Sequence, residues 1–198
     1  LHPLNEWMCQ QAMAQYQQWQ QQDRKLGRLA LNIAHLQLQD LGFFHFLQAL
    51  MTEYEIKPDQ LILEVTEHFI LHASQEVIAQ FKRLQQQGLL LALDDFGRGY
   101  ASLYYLKQFP LNIIKLERVF IKDIETSEVD LLLVESSIQL ASKLGLTVVA
   151  EGVETQSHYD LLAGLGCDWM QGYFVSPALP LLDFEAWFDR YHEKTPQE

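Results

Sequence analysis

Hydrophobic positions along the chain follow two successive patterns. From residue 3 to residue 22, Trp7, Met8, Met13, Tyr16 and Trp19 recur at spacings that suit one face of a helix. The other face holds Gln17, Gln18, Gln20, Gln21 and Gln22, and because apolar residues interleave it periodically it reads as a solvated face rather than a low-complexity tract. After Gly27 the apolar residues gather into short continuous runs at 29–34, 61–65, 89–93, 113–116, 146–150 and 169–174. Helical stretches near 38–54, 74–87, 101–108, 127–144, 155–165 and 181–191 separate or follow most of these runs. Such an alternation predicts βαβ units and a mainly parallel sheet buried on both sides. Gly88, Gly145 and Gly166 stand where a left-handed residue would end a helix before a strand, and Pro58 and Pro110 stop helices too.

The polar residues select among parallel-sheet folds. Asn32 lies in the first apolar run, Glu64 and Glu67 at and beyond the end of the second, Asp94 and Asp95 after the third. Lys115 is near the end of the fourth, Glu151 and Glu154 follow the fifth, and Gln171 is in the last. Every strand thus brings an ionisable or amide group to the same carboxyl end, which is how a (β/α)8 barrel builds a site. An open doubly wound sheet would use mainly the loops at one switch point. The expected fold is α/β, a TIM-like barrel with six of its eight strands, in one domain over residues 1–198. The two absent strands are expected ahead of the first helix.

Composition narrows the class without changing it. Hydrophobic residues make up 48% and charged residues 20%, as in an ordinary globular domain. Cys9 and Cys167 lie far apart with no CxxC spacing, so neither a disulfide framework nor a zinc knuckle is indicated and a cytoplasmic location is expected. There is no signal-peptide pattern and no apolar run long enough to span a membrane, so no membrane contact by this domain is expected. A net charge of −12 argues against gripping a DNA or RNA polymer, though an anionic ligand is acceptable with a metal between.

Asn32, Glu64, Asp94, Asp95 and Glu151 supply oxygen donors with no His or Cys among them. Carboxylates converging on one cavity repel unless a cation joins them, and oxygen ligation suits Mg2+ or Mn2+ better than zinc. Adjacent Asp94 and Asp95 cannot both face inward from a regular strand, but Gly97 and Gly99 just beyond them allow the second to turn toward the site. Two ions ~3.5–4 Å apart would clamp the oxygens of a phosphate displacement. Taken singly, Asp94–Asp95 can be a cap or turn, Lys115 an ion-pair partner, Asn32 a turn residue, and Glu151 with Glu154 a turn and helix start. The seven histidines show no ligand spacing, and no phosphate-binding glycine loop is present.

Six segments carry a family resemblance: LNI at 31–33, LEVTE at 63–67, LDDFGRGYASL at 93–103, IKLE at 114–117, VAEGVE at 149–154 and QGYF at 171–174. They resemble, in order, the EAL domain of cyclic di-GMP phosphodiesterases, which share a TIM-like barrel. The resemblance implies in-line hydrolysis of cyclic di-GMP to linear pGpG with one or two Mg2+ or Mn2+ ions. It implies Asn32, Glu64 and Asp94 as ligands of one ion, Asp94 and Asp95 of a second, and Lys115 and Glu151 as the groups that position or deprotonate water. Glu67 would anchor the loop after Asp95, and Glu154 and Gln171 would support the site or meet substrate. The Glu-Ala-Leu signature itself is absent, and Glu117, Arg98 and Ala101 replace residues more usual in the family. This chain is therefore expected to be weak or inactive by itself. A non-catalytic module binding cyclic di-GMP or a protein is the competing reading, and a Schiff-base lyase using Lys115 is a third. A homodimer is expected through the aromatic segment at 100–109.

Overall fold

A computed structural model of the protein describes residues 2–33, 41–97 and 103–194. Six short strands carry the apolar runs: β1 (Leu29–Asn32), β2 (Leu61–Thr66), β3 (Leu90–Phe96), β4 (Ile113–Leu116), β5 (Thr147–Glu151) and β6 (Trp169–Gln171). They pair in sequence order, every pair parallel, so each connection is a crossover. The helices that make those crossovers, or flank the sheet, are α1 (His2–Gln21), α2 (Leu41–Glu53), α3 (Glu67–His72), α4 (Gln75–Gln86), α5 (Leu103–Gln108), α6 (Arg118–Lys122), α7 (Glu128–Leu144), α8 (Gln156–Gly164) and α9 (Leu181–Lys194). The result is a half-barrel of six parallel strands surrounded by helices.

Side chains alternate across the strands, and the two faces differ. Leu61, Leu63, Val65, Leu91, Leu93, Ile114, Leu116, Val148 and Ala150 pack outward into one large core with Phe44, Phe69, Phe81 and Phe109 from the helices. The inner face holds a small separate cluster, Ile62, Ala92, Ile113 and Val149. Two residues further along each of those strands, on the same face, stand Glu64, Asp94, Lys115 and Glu151. A floor of apolar side chains therefore lies directly beneath four charged ones.

The sheet has two edges. Among the described residues β1 pairs only with β2, and β6 only with β5. Outside the sheet, α1 and α9 meet: the Trp19 ring lies 5.0 Å from Phe184, its indole N–H donates to Glu185 at 2.8 Å, and Arg24 pairs with Asp189 at 2.8 Å. Helices from opposite ends of the chain are thus clasped where the sheet is not. No helix among the described residues is long and apolar enough to cross a membrane.

The predicted strand at 169–174 is shorter in the structure, because the chain leaves the sheet at Gly172, which packs too closely on the Val153 backbone to carry a side chain. Helices α3 and α6, of six and five residues, were not predicted. Gly88, Gly145 and Gly166 all have positive φ, as their places after helices require.

Candidate active site

Lys115 is the centre of the charged layer. Its Nζ donates to Glu64 Oε2 at 2.9 Å and lies 2.6 Å from Glu151 Oε1 and 3.2 Å from Asp94 Oδ1. These residues come from four different strands, and the lysine side chain is only 6% exposed. Burial alone would push the Lys115 ammonium down; Glu151, Glu64 and Asp94 outweigh it and hold the group above the ordinary lysine value. Burial raises the Glu151 carboxyl, Lys115 opposes that rise, and Asp94 and Glu64 add to it. One ammonium among three carboxylates leaves two negative charges uncompensated. A lysine held so firmly in its charged form is poorly suited to Schiff-base chemistry.

At Asp95 the strand β3 is interrupted by a bulge-like irregularity. The residue's φ is +56°, and the pairing of β3 with β4 shifts register between Leu93 and Phe96. Regular alternation is thereby broken at the second aspartate, as the Asp94–Asp95 pair demands. Beyond it, Gly97 N–H donates to Glu67 Oε1 at 2.9 Å, so a buried carboxylate at the start of α3 holds the loop that follows Asp95. Arg98 and Ala101 lie outside the described residues, as does Tyr100 of the aromatic segment; that segment's Leu106 and Phe109 are buried in the core.

Asn32 is paired in register with Glu64, and Gln171 with Glu151, which puts both amides at the same level as the lysine cluster. Neither of them, nor Asp95, makes a side-chain hydrogen bond or ion pair among the described residues. Glu154 pairs with Arg118, Nη2 to Oε1, at 2.7 Å. Sequence reasoning missed Arg118 and Phe120, the two arms of α6. The Arg118 stem covers Gly152 just after Glu151, and the Phe120 ring covers Gly97 just after the aspartates. The matching three-residue spacings, Lys115 to Arg118 and Glu151 to Glu154, were the available signal.

Among the described residues no three Asp, Glu, His or Cys side chains are arranged to hold a metal ion; Glu64 and Asp94 converge on Lys115 instead. The donor set still fits a hard divalent cation. It is all oxygen, it carries excess negative charge, and Asp94 Oδ1 is buried without a hydrogen bond.

A parallel barrel whose inner face changes from apolar to acidic at the carboxyl ends, around one lysine, defines the class: a TIM-type barrel with a polar site at its mouth. The family is narrower. The EAL domain matches residues 1–178, and the chain belongs to it. It is similar to cyclic di-GMP phosphodiesterase PA2567 of Pseudomonas aeruginosa, with 35% identity over 190 residues, 96% of this chain and 32% of that protein. The chain thus spans about a third of that relative's length. Its fold matches PaMucR phosphodiesterase, solved in complex with c-di-GMP, with a TM-score of 0.86, 30% identity, and coverage of 92% of this chain and 74% of that one. It also matches Klebsiella pneumoniae BlrP1, solved with manganese and cyclic di-GMP, with a TM-score of 0.76, 29% identity, and coverage of 87% and 43%.

Proposed function

We propose that the site hydrolyses one phosphodiester of cyclic di-GMP to linear pGpG, with Mg2+ or Mn2+ bound. The observation that carries this is the convergence of Glu64, Asp94 and Glu151 on Lys115, in a chain that is similar to named cyclic di-GMP phosphodiesterases. Asn32, Glu64, Asp94 and Asp95 would hold the metal, which when bound supplies Lewis-acid polarisation of the phosphate and a more acidic water. Glu151, with its carboxyl raised by burial, accepts the proton of the attacking water. Lys115 donates hydrogen bonds that orient that water and stabilise charge gathering on the phosphoryl oxygens. The water oxygen bonds to phosphorus, the ester bond on the opposite side breaks, and the leaving oxygen takes a proton from solvent water to become a ribose hydroxyl. Glu67 holds the loop after Asp95, and Glu154 and Gln171 form the rim that faces substrate.

We also propose that two further strands between β6 and β1 complete the barrel. A second copy of the chain is the partner we propose for Val129, Leu132 and Leu133, exposed apolar residues at helical spacing on α7, and for Val119, exposed on α6. A monomeric mass by light scattering at tens of micromolar would overturn that pairing. The enzymatic reading is tested by incubating the protein with cyclic di-GMP and Mn2+ and resolving the products by chromatography. Slow formation of linear pGpG is expected, at a rate that Asp94→Asn lowers at least about tenfold while the fold is retained. Calorimetric binding without any turnover would favour the module that only senses the dinucleotide. Neither binding nor turnover would remove both readings.

A further inference from the structure

α6 starts three residues beyond Lys115, and its first residue lies across the turn that leads away from Glu151. Gly152 in that turn has φ +71°, and a Cβ there would run into the Arg118 stem, with Arg118 Cβ 2.7 Å away. The Arg118 guanidinium reaches on to Glu154, so one side chain spans the turn from its first residue to its third. Lys115 with Glu151 and Arg118 with Glu154 form two parallel rungs, the inner buried and the outer exposed. The opposite side of the turn is fixed by backbone. Val153 N–H donates to Gln171 O at 3.1 Å, and Val153 O accepts from Phe174 N–H at 2.9 Å. Gly172 packs against the same peptide with no room for a side chain.

We propose that Arg118 is a positioning residue: its stem on Gly152 and its ion pair with Glu154 hold the β5–α8 turn, and so keep Glu151 seated against Lys115. The catalytic side of this proposal rests on the hydrolytic reading given above; the structural side does not. The outer rung is exposed to solvent, with Arg118 61% and Glu154 40% accessible, so its loss should hardly move the melting temperature. It should instead move the geometry of a carboxylate whose placement sets the rate.

Arg118→Met keeps a stem over Gly152 and removes only the pair; Arg118→Ala removes both. Hydrogen–deuterium exchange of residues 152–156 is expected to rise roughly tenfold in Arg118→Ala and less in Arg118→Met, with β5 unchanged. In Mn2+, kcat for cyclic di-GMP is expected to fall roughly tenfold in Arg118→Ala with KM within about twofold, and Arg118→Lys is expected to restore most of it. Unchanged exchange in the turn, or kcat preserved in Arg118→Ala, overturns the proposal. A wild-type chain that neither binds nor cleaves cyclic di-GMP overturns the hydrolytic reading instead, and the exchange measurement then decides by itself whether Arg118 holds the turn.

Discussion

Replacing Lys115 with methionine removes one charge and little volume from the centre of the site. The variant leaves Glu64, Asp94 and Glu151 facing one another with no ammonium between them, in positions where Lys115 itself is 5% exposed. Removing one partner of a buried ion pair typically costs about 3–5 kcal/mol, because the remaining charge stays desolvated. Three carboxylates share the loss here, which favours the upper part of that range. At roughly 2–4 °C per kcal/mol for a chain of this size, the melting temperature should drop by roughly 6–20 °C. Lys115 is held above its ordinary value, so its contribution is fully present below the ordinary lysine range and fades only as pH rises beyond it. The deficit from the lost ammonium should therefore be flat between about pH 7 and pH 9. Urea unfolding of both proteins, with and without Mn2+, measures it, and Mn2+ should restabilise the variant more than the wild type by supplying the missing positive charge. A deficit below about 1 kcal/mol would refute the reasoning, since that is the worth of an exposed pair and not of a buried one.

Gly97→Ala should lose roughly 1–3 kcal/mol in urea unfolding, because φ is +102° and the new methyl would meet Phe120 Cε2 at 2.9 Å. Glu67→Ala should speed amide exchange at Gly97, whereas Glu67→Gln, which keeps an acceptor oxygen, should not; equal exchange in the two would show that the hydrogen bond is dispensable. Burial pushes the Cys9 and Cys167 thiols up to about 11. At pH 8 only about one molecule in a thousand then carries either thiolate, so maleimide should label both only after unfolding, and rapid labelling of the native protein would contradict their burial.

Much of the site was legible because period-two alternation carries information across strands. Once 61–65, 113–116 and 146–150 are taken as strands, Ile62, Ile113 and Val149 fix which face is inward, and Glu64, Lys115 and Glu151 follow two residues later. The bend at Asp95 was legible for the opposite reason, since two adjacent aspartates break that alternation. What escaped was tertiary. Nothing in the local sequence of α6 announces that Arg118 and Phe120 reach over two glycines 34 and 23 residues away, respectively. The role of Gly172 was equally hidden, since its constraint is the Val153 peptide on the neighbouring strand's loop. The carboxylates' gathering on Lys115 follows from distances that spacing alone does not give.

β1 has a consequence for fidelity. It is four residues long and held in register from one side, by β2, with Leu31 buried and Asn32 exposed at the level of Glu64. A slip of one residue would exchange those two environments, putting a leucine at the mouth of the site and an amide into the core. Burying the amide and exposing the leucine both oppose the slip, so hydrophobic sorting at Leu31 acts as the proofreader for Asn32. Weakening Leu31 would then degrade the chemistry at the mouth without touching any polar residue there.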